Sequence, residues 1–322
     1  MGADFPKQTM ASRPTIYIPN LDGRDRLEPL IESLRAQTRP ADVVVVDNGS
    51  SDGSAELLRA GFPEVELIEL GRNAGFGPAL NRAVAATEGD PVVLLNNDVV
   101  CEPGFLEALL EPAAGAEMVA GVLLSERDPR FIDSAGVIAD RTLMGFDYLH
   151  GERRVAAEAA SAPLGPTGGA ALFSRAAFDA VGGFDERIFL YYEDLDLALR
   201  LRARGARCEL APAAAAVHAY SQTLGAASGA KYARTGWSRG YMLRRYGVMG
   251  GPRDALRVLA AEGVLCAGQM LRDRTAKGLG GRLRGWRDAR GLPRCAHPGG
   301  AGLSDLTLGE ALALRRARRG PG

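Results

Sequence analysis

Two short runs made wholly of apolar residues, Val43-Val44-Val45-Val46 and Val92-Val93-Leu94-Leu95, each end abruptly in a polar cluster. A run with no hydrophilic side suits a strand buried on both faces, the kind found in parallel sheets covered by helices. The first opens into Asp47-Asn48-Gly49-Ser50-Ser51-Asp52; the second, introduced by Gly89-Asp90-Pro91, opens into Asn96-Asn97-Asp98. In open α/β sheets ligands gather beyond the carboxyl ends of such strands, where these polar residues fall. A carboxylate with amide neighbours there can hold magnesium or manganese against a diphosphate, because hard oxygen ligands suit those ions. The same residues are ordinary turn formers, and the tripeptide alone leaves both readings open.

The chain around these runs repeats one unit. Thr15-Ile16-Tyr17-Ile18 reads as a strand ending in Pro19-Asn20-Leu21-Asp22-Gly23, and Leu27, Leu30, Ile31 and Leu34 recur at helical spacing after it. The Val43–Val46 strand is followed by a short helix through Leu57 and Leu58 that Asp52 or Ser54 can cap. Residues 65–70 supply a third strand, and Gly71-Arg72-Asn73-Ala74-Gly75-Phe76-Gly77 leads into a helix over 78–87. Three strand-loop-helix units in succession predict parallel strands with right-handed crossovers. Pro19, Asp47, Asn73 and Asp98 then become neighbours along one sheet edge, the geometry of a nucleotide pocket. Asp47 can accept a pyrimidine ring N–H or close an Asx turn.

Residues 118–125 predict a further strand, whereas 126–163 show little periodicity and read as a variable excursion. Order returns at Gly168-Gly169-Ala170, a glycine pair that permits close backbone approach to a bound group. A short helix over 175–181, the turn Gly182-Gly183-Phe184-Asp185-Glu186 and a broadly buried helix from Glu193 to Arg204 follow. Glu193, Asp194 and Asp196 at its start fit helix-dipole complementation; one of them also fits a general base. A strand near 207–210 precedes His218, a structural imidazole or a partner for a carboxylate in holding a divalent cation.

Charge divides the chain unevenly. Lys plus Arg equal Asp plus Glu at 39 each, yet residues 231–322 hold 19 basic and 6 acidic side chains, leaving the rest acidic. The basic end suggests anionic lipid, a phosphate-bearing substrate, nucleic acid or a solvated tail. Cys101, Cys208, Cys266 and Cys295 lack metal-binding spacing and form no dense disulfide framework, which points to a reducing cytoplasm. No basic-then-apolar leader opens the sequence, so signal-peptide secretion is not expected. The longest apolar region, 258–271, is interrupted by Glu262 and Gln269 and is too short to span a bilayer.

Taken in order, Ile18-Pro19-Asn20, Val46-Asp47-Asn48-Gly49-Ser50-Ser51-Asp52, Arg72-Asn73-Ala74-Gly75-Phe76, Leu95-Asn96-Asn97-Asp98, Gly168-Gly169-Ala170, Gly182-Gly183-Phe184-Asp185 and Tyr192-Glu193-Asp194-Leu195-Asp196 resemble the inverting family-2 glycosyltransferases. The similarity is to the bacterial rhamnosyltransferase-like and galactofuranosyltransferase-like branch and covers about residues 14–245. It implies an α/β GT-A fold, a Rossmann-like, mostly parallel sheet flanked by helices. By the resemblance, Pro19, Asn20, Asp47, Asn73, Gly75, Phe76, Asn96 and Asn97 bind a UDP- or dTDP-linked sugar. Asp98 and His218 bind magnesium or manganese, and Gly168, Gly169 and Ala170 border the acceptor. Asp194 is the catalytic base, its acidity raised by the helix start, and Glu193 beside it positions acceptor hydroxyls. Asn96 stands where the family's metal motif often has its first acid, removing one negative charge.

The organisation expected is a polar leader over 1–13, a glycosyltransferase domain over 14–230, a basic helical extension over 231–290 and a poorly ordered tail over 291–322 with a short helix in 303–319. The domain divides into a nucleotide-sugar half, 14–125, and an acceptor half, 126–230. Tyr232, Trp237, Tyr241, Arg244, Arg245 and Tyr246 mix aromatic and basic side chains, suiting either a lipid headgroup layer or packing on the domain. A glycan or lipid-linked acceptor and a cytoplasmic protein peripheral to the inner membrane face are the corresponding expectations; no nucleic-acid motif accompanies the charge. Two other classes compete: a sugar nucleotidyltransferase, which would carry a basic Gly-rich loop where Pro19–Gly23 stands, and a non-catalytic sugar-nucleotide-binding module.

Overall fold

A computed structural model describes residues 13–219, 228–296, 303–307 and 309–311. Its first half is the repeat expected: β1 (Thr15–Asn20), α1 (Arg24–Arg35), β2 (Asp42–Asp47), α2 (Ser54–Gly61), β3 (Glu66–Glu69), α3 (Phe76–Ala85) and β4 (Val92–Leu95). The strands lie in the order β3-β2-β1-β4, all parallel, so their polar ends share one edge. Val92 to Leu95 are fully buried, as a strand covered on both faces must be. One core layer places Ile16, Ile18, Val45 and Val93 against Leu27, Leu30 and Ile31 of α1. The other sets Tyr17, Val44, Val46 and Leu94 against Leu80 and Val84 of α3.

Beyond β4 come β5 (Val99–Cys101), α4 (Phe105–Leu110), β6 (Met118–Ser125), β7 (Asp128–Ser134), β8 (Val137–Ala139), β9 (Gly145–Asp147) and β10 (Ala170–Phe173). Helices α5 (Arg175–Ala180) and α6 (Glu193–Ala203) lead to β11 (Cys208–His218). Strand β10 runs antiparallel to both β4 and β6, β11 runs parallel to β6, and β5 closes the edge antiparallel to β11. The sheet is therefore parallel where the repeat sets it and mixed afterwards.

Two expectations need correction. Residues 126–163 are no loose excursion: β7 pairs with β6 and β8 with β9, and Ile132, Ala135, Ala139 and Phe146 are buried. Irregular register between β6 and β7 explains why no clean alternation marked this segment. The strand placed near 207–210 extends to His218, its register against β6 shifting between Leu210 and Ala215.

Three C-terminal helices follow: α7 (Gly229–Arg245), α8 (Pro252–Arg272) and α9 (Lys277–Asp288). Gly236 and Gly240 of α7 meet Gly281 and Gly285 of α9 so closely that a Cβ at any of them would strike a backbone carbonyl of the other helix. Two glycines one helical turn apart on each helix permit that approach. Tyr241, Met242 and Tyr246 of α7 enter the same core as Leu195 and Leu199 of α6. Tyr241 and Tyr246, two of the aromatic side chains considered for a lipid layer, thus turn inward, and the partly buried Trp237 stacks on Tyr241 with ring centroids 5.0 Å apart. Of the tail, Leu292, Cys295 and Leu303 pack against the main core, and the Cys295 amide donates to the Arg245 carbonyl at 2.8 Å. The leader and most of the short helix suggested in 303–319 lie outside the described residues.

Candidate active site

The strand ends are joined by amide and carboxylate side chains. Parallel pairing sets Asn20 beside Asp47, with Pro19 opposite Val46 one step earlier. The Asn20 side-chain amide donates to Asp47 Oδ1 at 3.1 Å and to Ser50 Oγ at 3.1 Å, while its Oδ1 accepts from Asn97 at 2.8 Å. Asp47 also accepts from the Ser50 amide at 2.9 Å, the Gly49 amide at 3.2 Å and the Ser50 hydroxyl at 2.5 Å. Of its two sequence readings, the Asx turn is the geometry present; its carboxylate organises the loop that a base would face. Next to it, Asn48 bonds the Gly75 carbonyl at 3.0 Å and the Ala74 amide at 2.8 Å, and Asn73 Oδ1 accepts from the Gly75 amide at 3.0 Å. Asp47, Asn73 and Gly75 are thereby drawn to one rim.

Gly75 has φ +99°, and a Cβ there would lie 2.6 Å from the Phe189 carbonyl, so this approach needs glycine. The Phe76 amide donates to that carbonyl at 2.9 Å. A Cβ on Gly168 would fall 2.7 Å from the Phe76 ring, and one on Gly169 would fall 3.1 Å from Asn96 Nδ2. Ala170 pairs with Leu95, which puts the glycine pair at the mouth of β4. Phe76, Asn96, Gly168 and Gly169 are therefore contiguous, although 92 positions separate the first from the third.

Asp98 and His218 meet on the other side of β4. His218 Nε2 lies 3.3 Å from Asp98 Oδ1 and its Nδ1 lies 2.7 Å from Asp133 Oδ2. Asp98 Oδ1 and His218 Nε2 are buried and have no hydrogen-bond partner among the described residues. Burial lowers the affinity of the imidazole for its proton, but Asp133 and Asp98 outweigh that and push its pKa up to about 10. Burial would raise Asp133, yet hydrogen bonds with His150 and His218 hold it well below the usual carboxylate range. An imidazole fixed by a carboxylate on one nitrogen, with its other nitrogen aimed at a buried carboxylate oxygen, is a common arrangement around a divalent cation. The residues fit magnesium or manganese, which Asp98 and His218 would hold. No group of three His, Cys, Asp or Glu side chains that could hold a metal occurs among the described residues, so oxygens of a diphosphate and water would complete the shell.

Sequence reasoning missed Asp133 because it sits in a segment with no periodicity, where Phe131-Ile132-Asp133-Ser134 shows no alternation of apolar and polar residues.

The acidic cluster divides by role. Asp196 is buried, bonded to Arg200 at 2.7 Å and to the Tyr246 hydroxyl at 2.8 Å, and is structural. Glu193 is buried, its Oε2 lacks a hydrogen-bond partner among the described residues, and burial together with neighbouring Asp194 pushes its pKa up to about 8. Asp194 is half-buried and accepts from the Leu195 amide at 2.7 Å. The chain enters this helix through Tyr191 and Tyr192, both at positive φ (69° and 73°), a conformation that costs non-glycine residues energy and persists only when surroundings enforce it. Helix α7 supplies the support: Ser238 donates to the Leu190 carbonyl at 3.1 Å, Tyr241 to Asp185 at 2.6 Å, and Arg234 stacks over Phe189 at 4.5 Å.

A family profile described as Glycosyl transferase family 2 matches residues 15–182. The chain belongs to glycosyl transferase family 2. Among similar curated proteins is the N-acetylglucosaminyl-diphospho-decaprenol L-rhamnosyltransferase of Mycobacterium tuberculosis, 33% identical over 228 residues that cover 62% of this chain and 73% of that one. The Undecaprenyl-phosphate 4-deoxy-4-formamido-L-arabinose transferase of Pectobacterium carotovorum is 35% identical over 126 residues, 36% of this chain and 38% of that protein. The Pyrobaculum calidifontis mannosyltransferase PcManGT, solved with GDP-Man and Mn2+, shares the fold at TM-score 0.55 and 21% identity over 98% of this chain and 82% of that one. GalNAc-T7, solved with UDP, GalNAc and Mn2+, shares it at TM-score 0.58 and 12% identity, over 88% and 55%.

This family-2 glycosyltransferase has the GT-A fold, with the matched segment running from β1 through α5 to Gly182. Glu193, Asp194 and His218 lie beyond the match, so their assignment rests on the geometry above. No helix among the described residues is long and apolar enough to cross a membrane.

Proposed function

We propose that this glycosyltransferase moves a sugar from a UDP- or dTDP-linked donor to a hydroxyl of a glycan or lipid-linked acceptor, inverting the anomeric carbon in one displacement. The observation that carries this reading is the buried pair Asp98 Oδ1 and His218 Nε2, 3.3 Å apart at the mouth of β4, neither hydrogen-bonded to any other described residue. Asp98 and His218 would hold a divalent cation there, and that group would neutralise negative charge on the departing diphosphate. Asp98 and His218 hold that charge-neutralising group, Asp133 fixes the imidazole tautomer, and the Asn20–Asp47–Asn97 chain keeps the nucleoside rim rigid. Gly168 and Gly169 let the acceptor approach the sugar without a side chain between them.

Asp194 takes the acceptor hydroxyl proton as the oxygen attacks the sugar face opposite the leaving group. Two adjacent carboxyls whose environments differ divide acid and base roles. Glu193, with its pKa pushed up to about 8, keeps its proton near neutrality, leaving Asp194 as the base of the pair. The named relatives that act on diphospho-decaprenol and undecaprenyl-phosphate lipids support a polyprenyl-linked acceptor. The experiment is a transfer assay with dTDP-rhamnose and a panel of UDP-sugars on an N-acetylglucosaminyl-diphospho-polyprenol, with manganese present. One donor should give a product whose NMR anomeric coupling shows inversion; retention, or no transfer from any donor by folded protein, would contradict the reading.

A further inference from the structure

Helix α8 presents two unlike faces. Inward, Val258, Ala261, Cys266 and Gln269 are buried, and Glu262 bridges Arg239 of α7 and Arg282 of α9 at 2.6 and 2.5 Å. Outward, Leu256 is 70% exposed, Leu259 62%, Val264 47%, Met270 38% and Leu271 85%, with exposed Ala260, Gly263 and Ala267 between them. Their spacing of three and four places them on one side of the helix. From Val258 to Leu271 the lone charged residue is Glu262, which faces inward, so about 22 Å of solvent-facing helix carries no charge. Leu279 and Leu283 of α9 add exposed apolar side chains, at 38% and 64%. Contiguous apolar surface of this extent on a soluble-type helix marks an interaction site.

The rim identifies the partner. Arg253 stands exposed before the stripe; Arg272, Arg274 and Lys277 stand exposed after it. Apolar side chains in the middle and guanidinium groups at the edges fit a lipid headgroup layer, the chains entering the acyl boundary and the arginines meeting phosphates. A second copy fits less well, since antiparallel two-fold pairing along α8 would bring the basic ends of the two helices together. We propose that the outward face of α8 is a docking surface for an anionic membrane, lying in the headgroup plane and not crossing it. The proposal rests on this face alone, so it stands or falls separately from the choice of donor and acceptor.

The test is co-sedimentation of the full chain with vesicles of phosphatidylcholine and phosphatidylglycerol in equal parts, against phosphatidylcholine alone. Wild type should sediment with the mixed vesicles and be released as NaCl rises from about 50 to about 500 mM, the range over which screening becomes complete. The double variant Leu259→Ser, Leu271→Ser, at exposed positions that leave the core intact, should lose partitioning on the order of tenfold or more. The double variant Arg272→Gln, Arg274→Gln should lose mainly the preference for the anionic vesicles. Absence of wild-type sedimentation, or sedimentation of both variants equal to that of wild type, would overturn the proposal. So would a concentration-dependent dimer in ultracentrifugation that the leucine variant abolishes without any vesicle binding, which would assign the face to a second copy. Unchanged circular dichroism and melting confirm that a loss of binding is not a loss of fold.

Discussion

The two sides of the sheet mouth satisfy their polar groups in opposite ways. On the side of β1 and β2, Asn20, Asp47, Ser50 and Asn97 bond one another, each strand end fastened to the next before any ligand arrives. On the other side, Asp98 Oδ1 and His218 Nε2 face each other, buried and 3.3 Å apart, with no hydrogen bond to any other described residue. Buried polar atoms normally find partners, and leaving one without costs about 1–3 kcal/mol. A fold that completes its bonds at one rim and leaves them open at the other separates scaffold from chemistry. Under the proposed function, the closed side would fix the shape that a nucleoside meets and the open side would receive the groups that carry charge.

Breaking the open side should cost activity more than stability. Asp98→Asn removes the carboxylate facing His218, and transfer measured with saturating manganese should fall by about 10²–10³-fold, with the fold retained by circular dichroism. Asp194→Asn should lose transfer by a hundredfold or more while donor affinity stays near wild type; transfer close to the wild-type rate would remove Asp194 from the role of base. Asp133→Asn, which touches the imidazole on its far side, should weaken metal-dependent activity by roughly 10–100-fold. Extra manganese should restore part of that loss, which a general packing defect would not allow.

Breaking the closed side should do the reverse. Asn20→Ala removes three hydrogen bonds joining β1, the β2 loop and the residues after β4, so denaturant unfolding should show a loss of about 2 kcal/mol. Stability unchanged in that variant would mean that the chain of amides does not hold the rim together.

The smallest effect is a slope against pH. Glu193 has its folded-state pKa raised from 4.5 to about 8, so the folded form holds a proton that the unfolded form releases between those values. Its contribution is therefore most favourable below pH 4.5 and is lost as pH rises through about 8. Wild-type melting temperature should fall between pH 5.5 and 8 more steeply than that of Glu193→Gln, a contrast read by calorimetric scans over about that range. Parallel curves would place the carboxyl in a more polar setting than its burial indicates.

The same division governs how much the sequence reveals. The parallel half is legible because runs such as Val92–Leu95 admit one structure and the polar residues after each run fall on one edge by topology. Asp98 and His218 could be paired by their order in the motif series and chemistry. Asp133 could not: it reaches His218 through β7, whose register against β6 is irregular, and that pairing leaves no periodic trace. Asp196 illustrates the converse difficulty, since beside Glu193 and Asp194 it has the composition of a catalytic group, and the Arg200 and Tyr246 bonds that make it structural come from distant packing. The support of the Tyr191–Tyr192 turn by α7 was hidden for the same reason, because aromatic and basic residues at helical spacing do not tell which side faces a core. The glycine pairs Gly236 and Gly240, Gly281 and Gly285, which let α9 lie close on α7, were a readable sign of close helix packing.

The central claim is that the open side of the mouth is where metal and diphosphate join the protein, and calorimetric binding of UDP and dTDP with and without manganese tests it most directly. Manganese should tighten binding of one nucleotide by on the order of tenfold or more in the wild type. Asp98→Asn should abolish that gain and leave the manganese-independent affinity nearly unchanged. Nucleotide binding indifferent to manganese, or a manganese effect that survives Asp98→Asn, would contradict the account.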